Sequence, residues 1–296
     1  VPEGFPVGNT KLLELITYLE PLACIVTLLV MVLRFQVGKF KFLAAFLGVR
    51  VLATAMLMPL MHLHNGHISI PLAYQIYFYI YWISYLVEAL LGFGIIFSLY
   101  KLAMAPLPGL QRLGMLMFRW AACIAIALAT ASAFGPHASG MDFIMKFVSQ
   151  MQQTQSILTL CMLLFVCLAS RPMGLSFGSK IFGVCLGLGV LATSDLVASA
   201  WLSQPDMVSV FNVVNGLSIC VTLGIWIGYL AVPDAKRRMI ILPTTSPFLR
   251  WNQISIALGD APGFVTVGDF TPDMLAPAEV EVMRRASIKL RQVANI

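Results

Sequence analysis

Charge is what this chain has least of. Only 11% of its 296 residues are Asp, Glu, Lys or Arg, against about a quarter in an ordinary soluble domain. Hydrophobic residues make up 59%, and the mean hydropathy is +0.87. An ordinary soluble domain is excluded and a polytopic membrane protein is expected. Catalytic signatures are missing too. With no HExxH, no GxSxG and no phosphate-binding loop in the chain, it does not read as an enzyme. The six cysteines (Cys24, Cys123, Cys161, Cys167, Cys185 and Cys220) lie inside apolar runs and never take a CxxC spacing. They read as small buried hydrophobes, not as a disulfide framework or a metal site. No basic patch is interleaved with aromatics, so no nucleic-acid partner is expected. The net charge of +6 is better explained by basic residues gathering on the cytoplasmic side of a bilayer. Residues 1–10 have no basic run of the secretory-signal kind, and the first hydrophobic segment is expected to stay in the protein.

What the chain does have is apolar runs, seven of them, at about 12–34, 40–62, 74–100, 115–135, 146–169, 178–202 and 210–232. Each reaches the roughly 20 residues that a helix needs to cross a bilayer core. Proline and glycine punctuate the breaks, as in Pro106-Leu107-Pro108-Gly109, Arg171-Pro172 and Gln204-Pro205. Alternate loops carry the cations: Arg34, Lys39 and Lys41; Lys101 and Arg112; Arg171 and Lys180; Lys236, Arg237 and Arg238. The other side has only Lys11 and Lys146. That asymmetry predicts an all-α, seven-helix bundle in the cell membrane, with its N-terminus outside and its C-terminus in the cytoplasm.

Two parts follow: the bundle over 1–232 and a small cytoplasmic tail over 233–296. In the tail, Ile254, Ile256 and Leu258 alternate with polar or small residues. A turn-like run at 259–263 and then Phe264-Val265-Thr266-Val267 follow, which together predict a hairpin. A helix is expected after Thr271-Pro272-Asp273, with Glu279 and Glu281 early and Arg284, Arg285, Lys289 and Arg291 late, matching the helix dipole. Residues 252–296 read either as the stretch through which a cytoplasmic partner docks or as a cap lying on the bundle or membrane surface. Inside the bundle, Pro21 and Pro59 should kink the first two helices. Gly183-x-x-x-Gly187 and Gly224-x-x-x-Gly228 should let backbones approach.

The third run is where polarity concentrates. Tyr77, Tyr81, Ser84 or Tyr85, and Glu88 recur at steps of three and four, on one helix face. An acid near the middle of a bilayer costs about 2.5–3.5 kcal/mol on insertion scales, so Glu88 must be paired or face a polar interior. Arg50 lies next to the centre of the second run, as Glu88 does in the third, and the two are expected to pair. Gln152, Gln155 and Thr159 in the fifth run, Asn212, Asn215 and Ser218 in the seventh, Asp195 in the sixth and Glu20 in the first share an outer-half depth. In lipid such groups must be satisfied within the protein or by water in a cavity. The predicted ligand site is therefore Tyr81, Tyr85, Glu88, Gln152, Gln155, Asp195 and Asn215. Tyrosine faces, amides and carboxylates suit a small polar or cationic ligand. His62, His64 and His67 are weak candidates for a metal, since their short spacing guarantees only proximity. No cofactor is expected.

The seven-helix arrangement with an outside N-terminus resembles the microbial rhodopsins, but the seventh run has no lysine for a retinal Schiff base. The Asp-Arg-Tyr and Asn-Pro-x-x-Tyr motifs of eukaryotic heptahelical receptors are absent as well. A three-plus-one-plus-three arrangement would resemble the SWEET sugar transporters, whose Pro-Gln loop signature does not appear. The topology is also similar to the seven-helix sensor modules of bacterial signalling proteins, without their output domains. No family is assigned on this basis. The expected function is binding or sensing of a ligand in the outer half, reported through a separate partner. The alternative is a small-solute or proton-coupled transporter.

Overall fold

The computed structural model describes residues 7–62, 70–105, 108–133, 140–169, 176–201 and 208–234, and beyond them 240–242, 265–267 and the single residues Arg250, Ile254 and Arg285. Seven helices follow in order: α1 (Val7–Leu33), α2 (Lys41–His62), α3 (Ile70–Ala103), α4 (Pro108–Ala133), α5 (Gly140–Ala169), α6 (Lys180–Trp201) and α7 (Val208–Ala231). All seven are long and apolar enough to cross a membrane. Several begin one or two turns before the hydropathy does, because the helical backbone continues past its apolar stretch. Pro108 opens α4, where its missing N–H costs nothing, and Asp142 sits in the first turn of α5, favoured by the dipole. Pro21 and Pro59 are carried inside continuous helices.

Packing arranges six helices in a ring. α1 lies against α2 and α7, α3 against α2 and α5, and α6 against α5 and α7. α4 stays outside the ring, against α5 and α3. The bundle's exterior, α4 included, is apolar: Met117, Trp120, Leu128, Leu164 and Leu168 are exposed, Trp120 at 64% and Leu168 at 72%. Large apolar side chains covering the outside suit a hydrocarbon surround, not water.

The interior differs between its two halves. Toward the end where α2 and α6 begin and α1, α3, α5 and α7 finish, Met31, Leu43, Leu47, Leu99, Met104, Val166, Val184, Trp226 and Leu230 form one buried apolar cluster. Trp226 is held by Phe46, edge to face with centroids 6.4 Å apart, and donates from Nε1 to the Val184 carbonyl at 3.3 Å. Gly183 and Gly187 leave the room that Tyr229 and Trp226 fill, so this glycine pair serves packing of α6 on α7. A side chain at Gly224 or Gly228 would meet nothing within 4 Å.

A polar clasp closes the packed half. After α1 the backbone turns left-handed at Phe35 (φ 53°), with Gln36 N–H bonded to the Met31 carbonyl and Phe35 N–H to the Val32 carbonyl. This turn delivers the Gln36 amide to the Leu230 carbonyl at 3.1 Å and Lys39 Nζ to Asp234 Oδ2 at 2.7 Å. Asp234 Oδ1 also accepts from the backbone N–H of Lys180 at 3.2 Å. One carboxylate thus ties the α1–α2 turn to the start of α6 and the chain leaving α7. Burial raises the Asp234 pKa, but the bonds from Lys39 and Lys180 outweigh it and hold the group below its ordinary 3.8.

In the tail, β1 (Ile240–Leu242) pairs in parallel with β2 (Val265–Val267). The strand expected near 264–267 therefore forms, but alongside 240–242. Of the expected partner strand only Ile254 is described, and it is helical. The rest of the predicted hairpin and the segment after Thr271, apart from the helical Arg285, lie outside the described residues.

Candidate functional site

Two cavities with polar walls lie in the other half of the bundle. One, of about 230 Å³, is lined by Tyr85, Glu88, Gln152, Gln155, Asp195 and Asn215 among others. The second, of about 330 Å³, is bordered by Glu20, Pro21, Thr54, Tyr81 and Ser84. Arg50, Tyr85, Glu88, Asn215 and Ile219 line both and form the partition between them. Six of the seven expected residues thus surround the first cavity, and Tyr81 borders the second. The floor is apolar: Phe46, Leu188 and Ile219 belong at once to the cavity walls and to the packed cluster below.

Arg50 is the centre of the partition. Its Nη1 lies 3.4 Å from Glu88 Oε2, the pairing expected from depth. Its closer partner is Glu20, with Nε at 2.5 Å from Oε1. The guanidinium offers donors on several sides, so one arginine can hold acids from α1 and α3 together. All three side chains are largely buried, at 18% exposure for Arg50, 22% for Glu20 and 13% for Glu88, which lowers the screening that weakens surface pairs. Sequence depth had placed Glu20 at this level but not its partner.

α3 presents a ladder of tyrosines along one face. Tyr77 and Tyr81 stack with centroids 6.1 Å apart, and Tyr81 and Tyr85 approach to 4.6 Å, as side chains four residues apart on a helix do. α5 contributes Gln152, Gln155 and Ser156. Ser156, one turn beyond Gln152 and missed from sequence, donates to Asp195 Oδ2 at 3.3 Å. The Gln155 amide occupies the space that a side chain at Gly92 would take, so α3 lets α5 bring this amide to the cavity. The side-chain amides of Gln152, Gln155 and Asn215 make no hydrogen bond to other described residues. The hydroxyls behave differently. Thr54, Ser84, Thr154 and Thr159 donate to carbonyls four residues back on their own helices, a local satisfaction that takes them out of any network between helices.

Of the histidines proposed for a metal, His62 is the last residue of α2, and His64 and His67 lie outside the described residues. Among the described residues, no group of three His, Cys, Asp or Glu is placed to hold a metal ion. Asn212 lies on α7, and Ser218 borders a separate, mainly apolar groove between α6 and α7. Comparison with protein-family models, with curated proteins and with solved structures finds no match to this chain.

Proposed function

We propose that this chain is an integral membrane binding or sensing module. A small polar or cationic ligand occupies the polar half of the bundle, which faces the outside, and a separate partner reads the result through residues 252–296 on the cytoplasmic side. The observation that carries this reading is the division of the interior. Charged and amide side chains converge on a cavity at one end, while a packed apolar cluster fills the other. A passage for solutes would need that cluster to part. A receptor needs only a floor that feels its ligand, and Phe46, in contact with Trp226, supplies one. Ligand binding transmits a signal when it has unequal affinity for two arrangements of the floor.

Transport of a small solute or of protons, along Glu88, Arg50 and Asp195, is the alternative. Two measurements decide. Single cysteines at Tyr85, Gln155 and Asn215, in a background without the native cysteines, should react with a membrane-impermeant thiol reagent added from outside. Solute flux in proteoliposomes should stay at background. Sustained flux would replace the sensor with a transporter, and three unreactive cysteines in a folded protein would remove the outward cavity from both readings.

A further inference from the structure

We infer that the occupant of the Asp195 cavity is a small protonated amine, gripped between Asp195 and Glu88. The inference rests on the binding reading above and names the chemical class of the ligand. It begins from a charge count. Among the described residues, the Asp, Glu, Lys and Arg side chains bordering the two cavities are one guanidinium, Arg50, and three carboxyl groups, Glu20, Glu88 and Asp195.

The single cation is not shared evenly. Glu20 holds it at 2.5 Å through Nε, whereas Glu88 reaches Nη1 only at 3.4 Å. Asp195 has the Ser156 hydroxyl, a neutral donor at 3.3 Å. On the Glu20 side the charges balance. On the other side, Asp195 and the loosely held Glu88 outnumber the cations, and ionising both without a further counter-charge at such depth is costly. A bound cation removes that cost, and the cavity has the lining to hold one.

The lining also selects among cations. Carboxylates and the amide oxygens of Gln152, Gln155 and Asn215 accept hydrogen bonds, which an ammonium with N–H groups supplies and a quaternary ammonium cannot. Among the described residues, Phe46 and Tyr85 are the aromatic ones on the wall, fewer than the cage that recognises a quaternary ammonium through its π faces requires. Size is the last constraint. A cavity of about 150 Å³ admits benzene, so the 230 Å³ here accommodates a compact amine of roughly ten non-hydrogen atoms or fewer.

The test uses the full chain in detergent, with n-butylammonium, tetramethylammonium, 1-butanol and butyrate as probes, followed by calorimetric titration and by the thermal unfolding midpoint. Butylammonium should bind saturably and raise the midpoint, at least about tenfold more tightly than the other three. Asp195→Asn should weaken it about tenfold or more. Glu88→Gln should do the same, and it carries the test if the first variant does not fold. Equal binding of butylammonium and butanol, or unchanged affinity in both folded variants, would overturn the inference. So would an absence of butylammonium binding, which would leave a proton as the neutralising cation. If butanol or butyrate binds where butylammonium does not, the cavity still functions as a binding site and only the amine is lost. If no probe binds and a cysteine at Gln155 stays unlabelled, both readings fall.

Discussion

Arg50 shows what a single buried charge imposes on its neighbours. Removing it as Arg50→Met would strand Glu20 and Glu88 together, with an expected loss of about 3–5 kcal/mol in detergent unfolding. Two double-mutant cycles separate the partners. Coupling of Arg50 with Glu20, measured against Glu20→Gln, should exceed coupling with Glu88, because of two charge-assisted contacts the first is much the shorter. Equal couplings would mean that the guanidinium serves both acids alike. The Arg50–Glu88 contact was legible in the sequence, since both residues sit at the middle of consecutive apolar runs. Glu20 as closer partner was not, because depth is a coordinate along the helix axis and says nothing of rotation about it. The Ser156–Asp195 contact was hidden for the same reason, although Ser156 shares a helical face with Gln152.

At the scale of the element, two glycine pairs with one spacing have different roles. Gly187→Ala should destabilise the protein by about 1–3 kcal/mol, because the new methyl would meet the buried Trp226 ring. Gly228→Ala, with open space around it, should stay within about 0.5 kcal/mol. Thermal unfolding of the two variants side by side checks the contrast, and equal losses would place a neighbour at Gly228. The spacing could reveal a small-residue stripe but not which helix faces it, since that depends on the ring order. The clasp at Asp234 makes a different prediction. Its pKa is depressed in the folded protein, so its contribution is fully present above the ordinary value near 4 and is lost as pH falls through the lower folded value. Solvent keeps the effect small, since the side chain is 36% exposed. Asp234→Asn should lower stability at neutral pH and flatten this acid limb; an unchanged limb would assign it to other groups.

For the molecule as a whole, orientation is open to direct measurement. Reporter fusions after Leu107 and after Arg238 should behave as cytoplasmic and a fusion at Gly66 as external; the reverse pattern would turn the cavity to face the cytoplasm. The count and approximate position of the helices could be read from hydropathy, which records how long a segment stays apolar. The ring could not, because hydropathy is silent about neighbours, and nothing in α4 announces that it packs outside the circle. That position has a consequence of parity. α4 contributes no described side chain to the lining of either cavity, yet it adds one reversal of direction between α3 and α5. Consecutive spans alternate, so the reversal makes α5, α6 and α7 run in the same senses as α1, α2 and α3. Without it, Gln155, Asp195 and Asn215 would lie at the opposite membrane depth from Glu20, Arg50 and Glu88. A helix packed behind the cavity walls thus decides that the site's two halves meet.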